Sequence, residues 1–191
     1  MIKNFGLNVI EKNPYITSSI TPPTYPHSHD FFEISFCVKS ESTNTINNKR
    51  IKFSKGTCVI LRPGDVHYLS DYTPLSYEHI DIYSTKEDFK NLCDLCNKSL
   101  YDMIINETSP ISFLLPNNVF SFLYNYSLIL KEMFANKNPL LTVIHSNMIT
   151  TILSEYIKNK EYSEKYIPIW LNGLLPKFNQ IDFISKNISL I

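Results

Sequence analysis

The sequence has no excess of charge and no long apolar run. Lysine plus arginine and aspartate plus glutamate both number 18 in 191 residues, so the formal net charge is zero. A chain without a global field does not recruit nucleic acid or a membrane surface by charge alone. The first 19 residues contain no apolar segment of secretory length, and no later run is long enough to span a membrane. These absences predict a cytoplasmic chain without membrane contact.

The four cysteines form neither a disulfide framework nor a complete ligand set. Cys93 and Cys96 make one CxxC pair, and a structural zinc site needs a second pair of ligands, which does not follow in the sequence. A chain without a secretory segment keeps its thiols reduced. We therefore favour ordinary packing over zinc or redox chemistry for this pair, and expect Cys37 and Cys58 to be buried in strands.

Internal repeats and low-complexity tracts are also missing, and the chain divides instead by its hydrophobic period. From Pro14 to about Ser84 short apolar or alternating segments are separated by turn residues, among them FFEISFCVK, TCVILR and YEHIDIYS. This pattern predicts an antiparallel sandwich or barrel and disfavours parallel βαβ units. Asn47 and Asn48 predict a tight hairpin, because asparagine tolerates positive φ, and Gly56 predicts a second turn.

From Lys86 onward the apolar period becomes helical. The narrowest stripe lies in NPLLTVIHSNMITTILSEYI. Its members are Leu141, Ile144, Met148, Ile152 and Tyr156. Such a seam packs either on its own domain or on a second subunit, and we carry the homodimer contact, through the first four of these residues, as an open alternative. His145 on this seam is interpreted as structural, and the charged segment 158–166 as a linker.

The segment PHSHDFFE, residues 26–33, places two histidines and a glutamate at positions of equal parity. On a β-strand His27, His29 and Glu33 therefore point to one face, which in a barrel can be the interior. A second segment places His67 just after the Pro63-Gly64 corner. Imidazole nitrogens and a carboxylate suit a divalent metal, so the two segments together predict a shared site.

These residues resemble a known family. His27, His29 and Glu33, followed by Gly56, the Pro63-Gly64 corner and His67, are similar to the two motifs of the cupin barrel, with all four metal-ligand positions occupied. Two segments resemble the N-terminal sensor barrel of AraC-type transcriptional regulators: PHSHDFFEISFCVKS, residues 26–40, and INNKRIKFSKGTCVILRPGDVHYL, residues 46–69. That resemblance implies an α+β chain, in which an antiparallel jelly-roll barrel is followed by linker helices.

The C-terminal segment is similar to one branch of that family. IPIWLNGLLPKFNQIDFISKNISLI, residues 167–191, resembles the connector of the chitobiose operon regulator subgroup, where a Pro-x-Trp-Leu helix precedes the helix-turn-helix domain. The resemblance implies three segments: an effector-binding barrel over 1–85, a helical dimerisation region over 86–160, and a connector with the truncated start of a DNA-binding domain over 161–191. DNA is then contacted only through the absent C-terminal domain.

Three interpretations of the His/Glu set stay open. The set binds a divalent metal such as Zn, Ni, Fe or Mn, or it forms the polar wall of a metal-free effector pocket, or its members only satisfy one another. The side chains expected around an effector are His27, His29, Phe31, Glu33, Phe36, His67, Tyr68, Tyr72 and His79. Arg62 is expected to form a surface ion pair with Asp65.

The function implied by the resemblance is effector sensing without catalysis. A small molecule, expected to be a sugar or oligosaccharide, binds in the barrel and shifts the arrangement of barrel and helices. The alternative is a metal-dependent cupin enzyme, an isomerase or dioxygenase acting on a small substrate. The helical region and the Pro-x-Trp-Leu segment favour the sensor, because a stand-alone barrel enzyme does not need them.

Overall fold

A computed structural model describes most of the first 165 residues. The described ranges are 3–5, 16–19, 24–39, 41–71, 77–136 and 138–165. Tyr72 and the whole Pro-x-Trp-Leu segment lie outside these residues, and so do most of the expected connector and the start of the DNA-binding domain. Contacts group the chain into two compact units, residues 1–155 and 156–191. The segment boundaries expected after residues 85 and 160 stay predictions.

Ten strands occur in the described residues. Their bounds are β1 Lys3–Phe5, β2 Ile16–Ser19, β3 His27–His29, β4 Phe32–Lys39, β5 Glu41–Ile46, β6 Lys49–Ser54, β7 Thr57–Leu61, β8 His67–Ser70, β9 Glu78–Ser84 and β10 Ile111–Leu114. Four helices accompany them in the same residues: α1 Lys86–Cys96, α2 Leu100–Ile105, α3 Asn117–Ala135 and α4 Leu141–Lys165.

The strands form two sheets that face one another. One sheet has the order β1-β3-β8-β5-β6 and the other the order β10-β7-β4-β9-β2, as far as the chain is described. The pairings are antiparallel except that of β1 with β3. From β1 to β9 sequential strands alternate between the sheets except at the β5–β6 hairpin, which is the arrangement of a double-sheet jelly roll. The predicted α+β fold, an antiparallel jelly-roll barrel followed by helices, is confirmed.

Two predicted turns occur in this barrel, one within a hairpin and one between the sheets. Asn47 and Asn48 join β5 to β6 with φ angles of 47° and 65°, the pair of positive values that a two-residue hairpin turn requires. Gly56 has a φ of 84° between β6 and β7, where any side chain would be strained. The asparagine turn fixes the register of β5 and β6, and the Gly56 turn carries the chain from one sheet to the other.

A strand also occurs inside the predominantly helical part of the chain. β10 pairs with β7, and its side chains alternate between buried Ile111 and Phe113 and exposed Ser112 and Leu114. This period of two is the signature of a half-buried edge strand. Residues 111–114 therefore extend the barrel beyond the segment expected to contain it.

An apolar core fills the space between the two sheets at one end. Its members come from both sheets: Cys37, Val59 and Leu61 from one, and Ile46, Phe53 and Leu69 from the other. Full burial of a valine, leucine, isoleucine or phenylalanine side chain stabilises the folded state by about 1.5–3 kcal/mol. The outer face of β4 packs against helices, since the Phe32 ring stacks on Phe89 of α1 with 3.8 Å between ring centroids.

The cysteines pack as the sequence predicts. Cys37, Cys58 and Cys93 are buried and Cys96 is half-buried, all as free thiols. Burial raises the pKa of Cys93 to about 12, and it also raises the pKa of Cys96. These thiols stay protonated at neutral pH, which disfavours the reactive thiolate that redox or zinc chemistry uses.

The apolar stripe of α4 packs within the chain. Met148 and Ile152 are fully buried and Leu141 nearly so, while Ile144 is half-buried. The spacing that suggested a subunit contact is therefore explained by packing inside this chain, and burial gives no support to these residues as a dimer interface. Sequence spacing could not distinguish packing within the chain from packing against a second subunit, because both require the same apolar seam. Across the described residues no helix is long and apolar enough to cross a membrane.

His145 joins α4 to the end of β9, which supports the structural role predicted for it. Its Nε2 lies 2.8 Å from the carbonyl oxygen of Tyr83, and its ring is buried. Burial lowers the pKa of His145, although the Tyr83 carbonyl and the Asp88 carboxylate oppose the change. The folded protein therefore favours the neutral ring.

We expect His145 to make folding stability depend on pH. A depressed pKa means that the unfolded state binds the proton more readily, so stability is full above about pH 6.5 and falls below it. The loss is at most about 1.4 kcal/mol per pH unit for one proton. Urea unfolding at pH 7.5, 6.5 and 5.5 should show a smaller decrease for His145→Gln than for the wild type. Equal decreases in both proteins would contradict this assignment.

Candidate functional site

The His/Glu set lies between the two sheets, and its members come from three strands. His27 and His29 are on β3, Glu33 is on β4 and His67 is on β8. The sequence pattern suggested one continuous strand over the first three, but the chain leaves one sheet at Asp30 and enters the other at Phe32. The three side chains nevertheless converge, because β3 and β4 present their inner faces to the same interior.

Three of the four expected ligands lie within coordinating distance of one another. His29, Glu33 and His67 offer one ligand atom each, and these atoms all lie within 4.8 Å of each other. Glu33 Oε2 is 3.3 Å from His29 Nε2, and Oε1 is 3.9 Å from His67 Nε2. The His27 ring packs on the His67 ring with 4.1 Å between centroids. His27 therefore adjoins the group of three without joining it at ligand distance.

Backbone carbonyls determine which nitrogen each histidine turns to the interior. His27 Nδ1 lies 3.1 Å from the Tyr25 oxygen, His29 Nδ1 lies 2.8 Å from the Phe31 oxygen, and His67 Nδ1 lies 3.1 Å from the Asp65 oxygen. A carbonyl oxygen only accepts, so each Nδ1 carries the hydrogen. In a neutral ring, Nε2 then presents a lone pair.

This arrangement leaves buried acceptor atoms facing a carboxylate. His67 Nε2 has no hydrogen-bond partner within the described residues, and His29 Nε2 lies 3.3 Å from Glu33 Oε2, a contact that is a hydrogen bond only when that nitrogen carries a proton. Two lone pairs and a carboxylate oxygen repel one another unless a proton or a cation lies between them. Metal-binding histidines characteristically donate the other ring nitrogen to a carbonyl, as these do. The donor set therefore fits a divalent metal.

The electrostatics of the site keep Glu33 ionised. Burial by itself raises the pKa of Glu33, but the hydrogen bond from His29 and the charges of the three histidines outweigh it and lower that pKa to about 2. Burial lowers the pKa of His29, yet its contact with Glu33 raises the pKa above the ordinary value. Burial lowers the pKa of His67, and the charge of Glu33 does not restore it. The neutral ring of His67 beside the Glu33 carboxylate is the ionisation state that a metal requires, whereas a metal would have to displace a proton from His29.

The remaining expected pocket residues divide between the two faces of the sheets. Phe31 is buried and stacks on His29 with 4.2 Å between centroids. Phe36 differs in parity from Glu33 and lies on the opposite face of β4, where its ring meets Phe120 of α3 at 6.2 Å. Tyr68 is half-buried and follows His67 directly, so it too has the opposite parity. For Phe36 and Tyr68 strand parity disagrees with a place in the pocket.

His79 shares the interior with a second polar group. Register pairs His79 with Cys37, Asp81 with Ser35, and Tyr83 with Glu33, so these side chains share the inner face of their sheet. His79 Nε2 lies 3.0 Å from Asp81 Oδ2, and the His79 ring is 5.2 Å from the Tyr77 ring. Asp81 is close enough to His29 for its charge to raise the pKa of that ring. A polar stripe thus runs from the histidines to Tyr77.

Sequence reasoning did not select Asn44, which lies on the facing sheet. Register pairs Asn44 with Leu69, whose parity matches His67, so its amide points inward. Asn44 is buried, and its Oδ1 has no hydrogen-bond partner in the described part of the chain. The available signal was the alternation of ESTNTI, in which Ser42, Asn44 and Ile46 share one face. A buried acceptor without a partner suits a ligand that donates a hydrogen bond.

The fold is a jelly-roll barrel with a polar set facing its interior. Residues 19–95 match the family model described as AraC-like ligand binding domain. That segment contains the whole His/Glu set and the second polar group. No curated protein matches the chain.

Solved structures of transcription regulators are similar in fold. An apo variant of ToxT from Vibrio cholerae matches with a TM-score of 0.51 and 10% identity, over 74% of this chain and 56% of ToxT. The AraC-like transcriptional activator CuxR matches with a TM-score of 0.47 and 13% identity, over 67% of this chain and 42% of CuxR. Wild-type ToxT with a bound unsaturated fatty acid matches with a TM-score of 0.48 and 11% identity, over 78% and 54%. The chain thus spans roughly half the length of these proteins.

Proposed function

We propose that this chain is the effector-sensing part of an AraC-type transcriptional regulator. The observation that carries the proposal is the buried polar stripe inside the barrel, within the segment that matches the ligand-binding family model. Two buried atoms in this interior, Asn44 Oδ1 and His67 Nε2, have no hydrogen-bond partner within the described residues, and buried polar atoms cost free energy unless they are paired, which favours a ligand that pairs with them. Packing of Phe32 on Phe89 and of Phe36 on Phe120 connects the barrel to helices that can respond.

The proposed effector is a sugar or oligosaccharide. A sugar offers hydroxyl donors on its edge and C–H groups on its faces. The amide oxygen of Asn44 accepts hydrogen bonds, and Val59, Leu61 and Phe53 supply an apolar surface in the same interior. A ligand with a polar edge and an apolar face is complementary to such walls.

The proposed cofactor is a divalent metal, Zn, Ni, Fe or Mn, held by His29, Glu33 and His67. A bound metal would act as a Lewis acid that polarises an oxygen of the ligand. His27, which packs on His67, would shield the site and orient that ring. Glu33 supports this proposal because it is ionised and lies between two Nε2 atoms.

The proposed output of the sensor is DNA binding by a C-terminal domain of the kind that the resemblance to AraC-type regulators implies. Ligand binding shifts an equilibrium only through different affinities for two arrangements, here of barrel and helices. A homodimer is part of the proposal, as in the implied architecture. The exposed Leu128 and Ile129 of α3, and Val143 of α4, are apolar side chains on the helical surface.

The second candidate function is a metal-dependent cupin enzyme, an isomerase or dioxygenase. The observation that favours it is the same His/Glu group, because three protein ligands leave open positions on a metal. Substrate turnover by the zinc-, iron- or manganese-loaded protein would favour this alternative. Stable binding of an unchanged ligand favours the sensor.

The effector proposal is tested by thermal shift with chitobiose, cellobiose and an unsaturated fatty acid. A saccharide at 100 times its Kd is expected to stabilise the folded chain by about 2.7 kcal/mol. Asn44→Ala should abolish this shift, and the Tm of the free variant is measured beside it, because truncating a buried side chain removes packing as well as the amide oxygen. The exposed Asn118→Ala is the matched control.

Each result of this test assigns or removes a ligand class. A shift with chitobiose or cellobiose that Asn44→Ala removes supports a saccharide. A shift with the fatty acid alone contradicts the saccharide and assigns an acyl ligand. A saccharide shift that persists in Asn44→Ala contradicts the role of that amide.

A further inference from the structure

The loop between β7 and β8 is held by an ion pair that is buried. Arg62 Nε lies 3.0 Å from Asp65 Oδ2, and the two side chains are only 11% and 9% exposed. The backbone N–H of Arg62 donates to the same oxygen at 2.9 Å, and Arg62 Nη2 donates to Asp65 Oδ1 at 3.2 Å. The pairing was predicted, but its burial was not. Burial makes the geometry of the pair specific, since water does not screen it.

The same guanidinium reaches the end of helix α2. Arg62 Nη1 donates to the carbonyl oxygen of Ile104 at 3.4 Å and also to that of Glu107. Carbonyls at the end of a helix lack intrahelical partners, and a cation there is favourable. Arg62 therefore fixes the loop against a rigid element, which a lysine could not do with one ammonium group.

The far side of this loop orients two ligands of the site. The Asp65 carbonyl accepts from His67 Nδ1 at 3.1 Å, and the Gly64 N–H donates to the His29 carbonyl at 2.8 Å. Asn47 Nδ2 also donates to Asp65 Oδ1 at 2.7 Å, so both carboxylate oxygens of Asp65 are held. The position of the Asp65 carbonyl thus depends on the contacts of its side chain.

We propose that Arg62 is a positioning residue for the His/Glu site: it holds Asp65 so that the Asp65 carbonyl keeps His67 as the Nδ1–H tautomer with Nε2 toward Glu33. The other partner of a metal-binding imidazole determines its tautomer and ring orientation. In Arg62→Gln the Asp65 carboxylate loses the two hydrogen bonds that the guanidinium donates. The loop then shifts, and because the Asp65 carbonyl shifts with it, His67 exchanges between its two tautomers. The proposal rests on the proposed function only for the metal, and its first test needs no ligand.

The first test is the ¹⁵N NMR spectrum of the histidine rings at pH 8, in protein without metal. Wild type should show His67 as the Nδ1–H tautomer, and Arg62→Gln should show an average of both tautomers. The control is Arg50→Gln, because Arg50 forms an exposed pair with Asp71 and should leave the spectrum unchanged. Where Arg62→Gln does not fold, Arg62→Lys decides, with a tautomer average expected. Wild-type His67 shifts in the folded variant overturn the proposal.

The second test is zinc affinity by titration calorimetry. Arg62→Gln is expected to bind zinc 10–100-fold more weakly than wild type, the usual loss when a partner behind a metal ligand is removed. Arg50→Gln should match the wild type. Equal zinc affinity in wild type and Arg62→Gln overturns the role of Arg62. Absence of zinc binding in the wild type instead removes the metal from the proposed function, and the NMR result still decides the positioning role.

Discussion

Replacing Glu33 by glutamine is expected to weaken zinc binding by more than about 100-fold. Loss of a partner behind a metal ligand already costs 10–100-fold, and Glu33 is itself a proposed ligand. Glutamine keeps the size of the side chain but removes the negative charge that lies 3.3 Å from His29 Nε2 and 3.9 Å from His67 Nε2. Titration calorimetry with zinc measures the change directly.

The matched control for Glu33 is Glu41→Gln. Glu41 is the first residue of β5, as Glu33 is the second of β4, but Glu41 forms an exposed pair with Lys52, and its replacement should leave zinc affinity unchanged. If Glu33→Gln binds zinc as tightly as wild type, the carboxylate is not a ligand. The His/Glu group would then act as the polar wall of a metal-free pocket.

Replacing Phe32 by alanine is expected to destabilise the barrel by about 3–5 kcal/mol, the usual cost of removing a buried phenylalanine ring. Phe32 is fully buried, stacks on Phe89 and meets the edge of Tyr101 at 6.0 Å. The substitution removes the ring that joins β4 to helix α1 and leaves a cavity on the side opposite Glu33. Urea unfolding gives the loss as the change in midpoint at constant slope.

The control for Phe32 is Leu95→Ala on the same helix α1. Leu95 is 79% exposed, so its truncation should change stability by no more than about 0.5 kcal/mol. Losses of equal size at the two positions would contradict tight packing of α1 on the barrel. Such a result would also weaken the proposed connection between effector binding and the helices.

Much of the fold could be predicted from residue patterns. Alternating apolar residues punctuated by turn residues gave the antiparallel barrel, because side chains on a strand alternate between two faces. The asparagine pair at 47 and 48 gave a hairpin, because both residues tolerate positive φ. Strand β10 was missed because four residues between helices carry a weak period.

The site was predicted in its residue types and only partly in its geometry. Strand parity assigned His29 and Glu33 to one face of a single strand, yet they lie on different sheets. Their contact exists because the inner faces of the two sheets are opposite one another. The same parity assigned Phe36 and Tyr68 to the outer faces, which the expected pocket overlooked. Asn44 was missed because the alternation of ESTNTI places it on one face of a strand but does not show that this face is the interior.

The sequence by itself determined the class of fold and the chemical character of the site, because residue type and period are local properties. Only the tertiary structure decided that the α4 stripe packs within the chain, since an apolar seam specifies burial and not its partner. Only the tertiary structure showed that the Arg62–Asp65 pair is buried behind His67. Burial and distance between strands arise from packing of segments far apart in the chain, which no local pattern records.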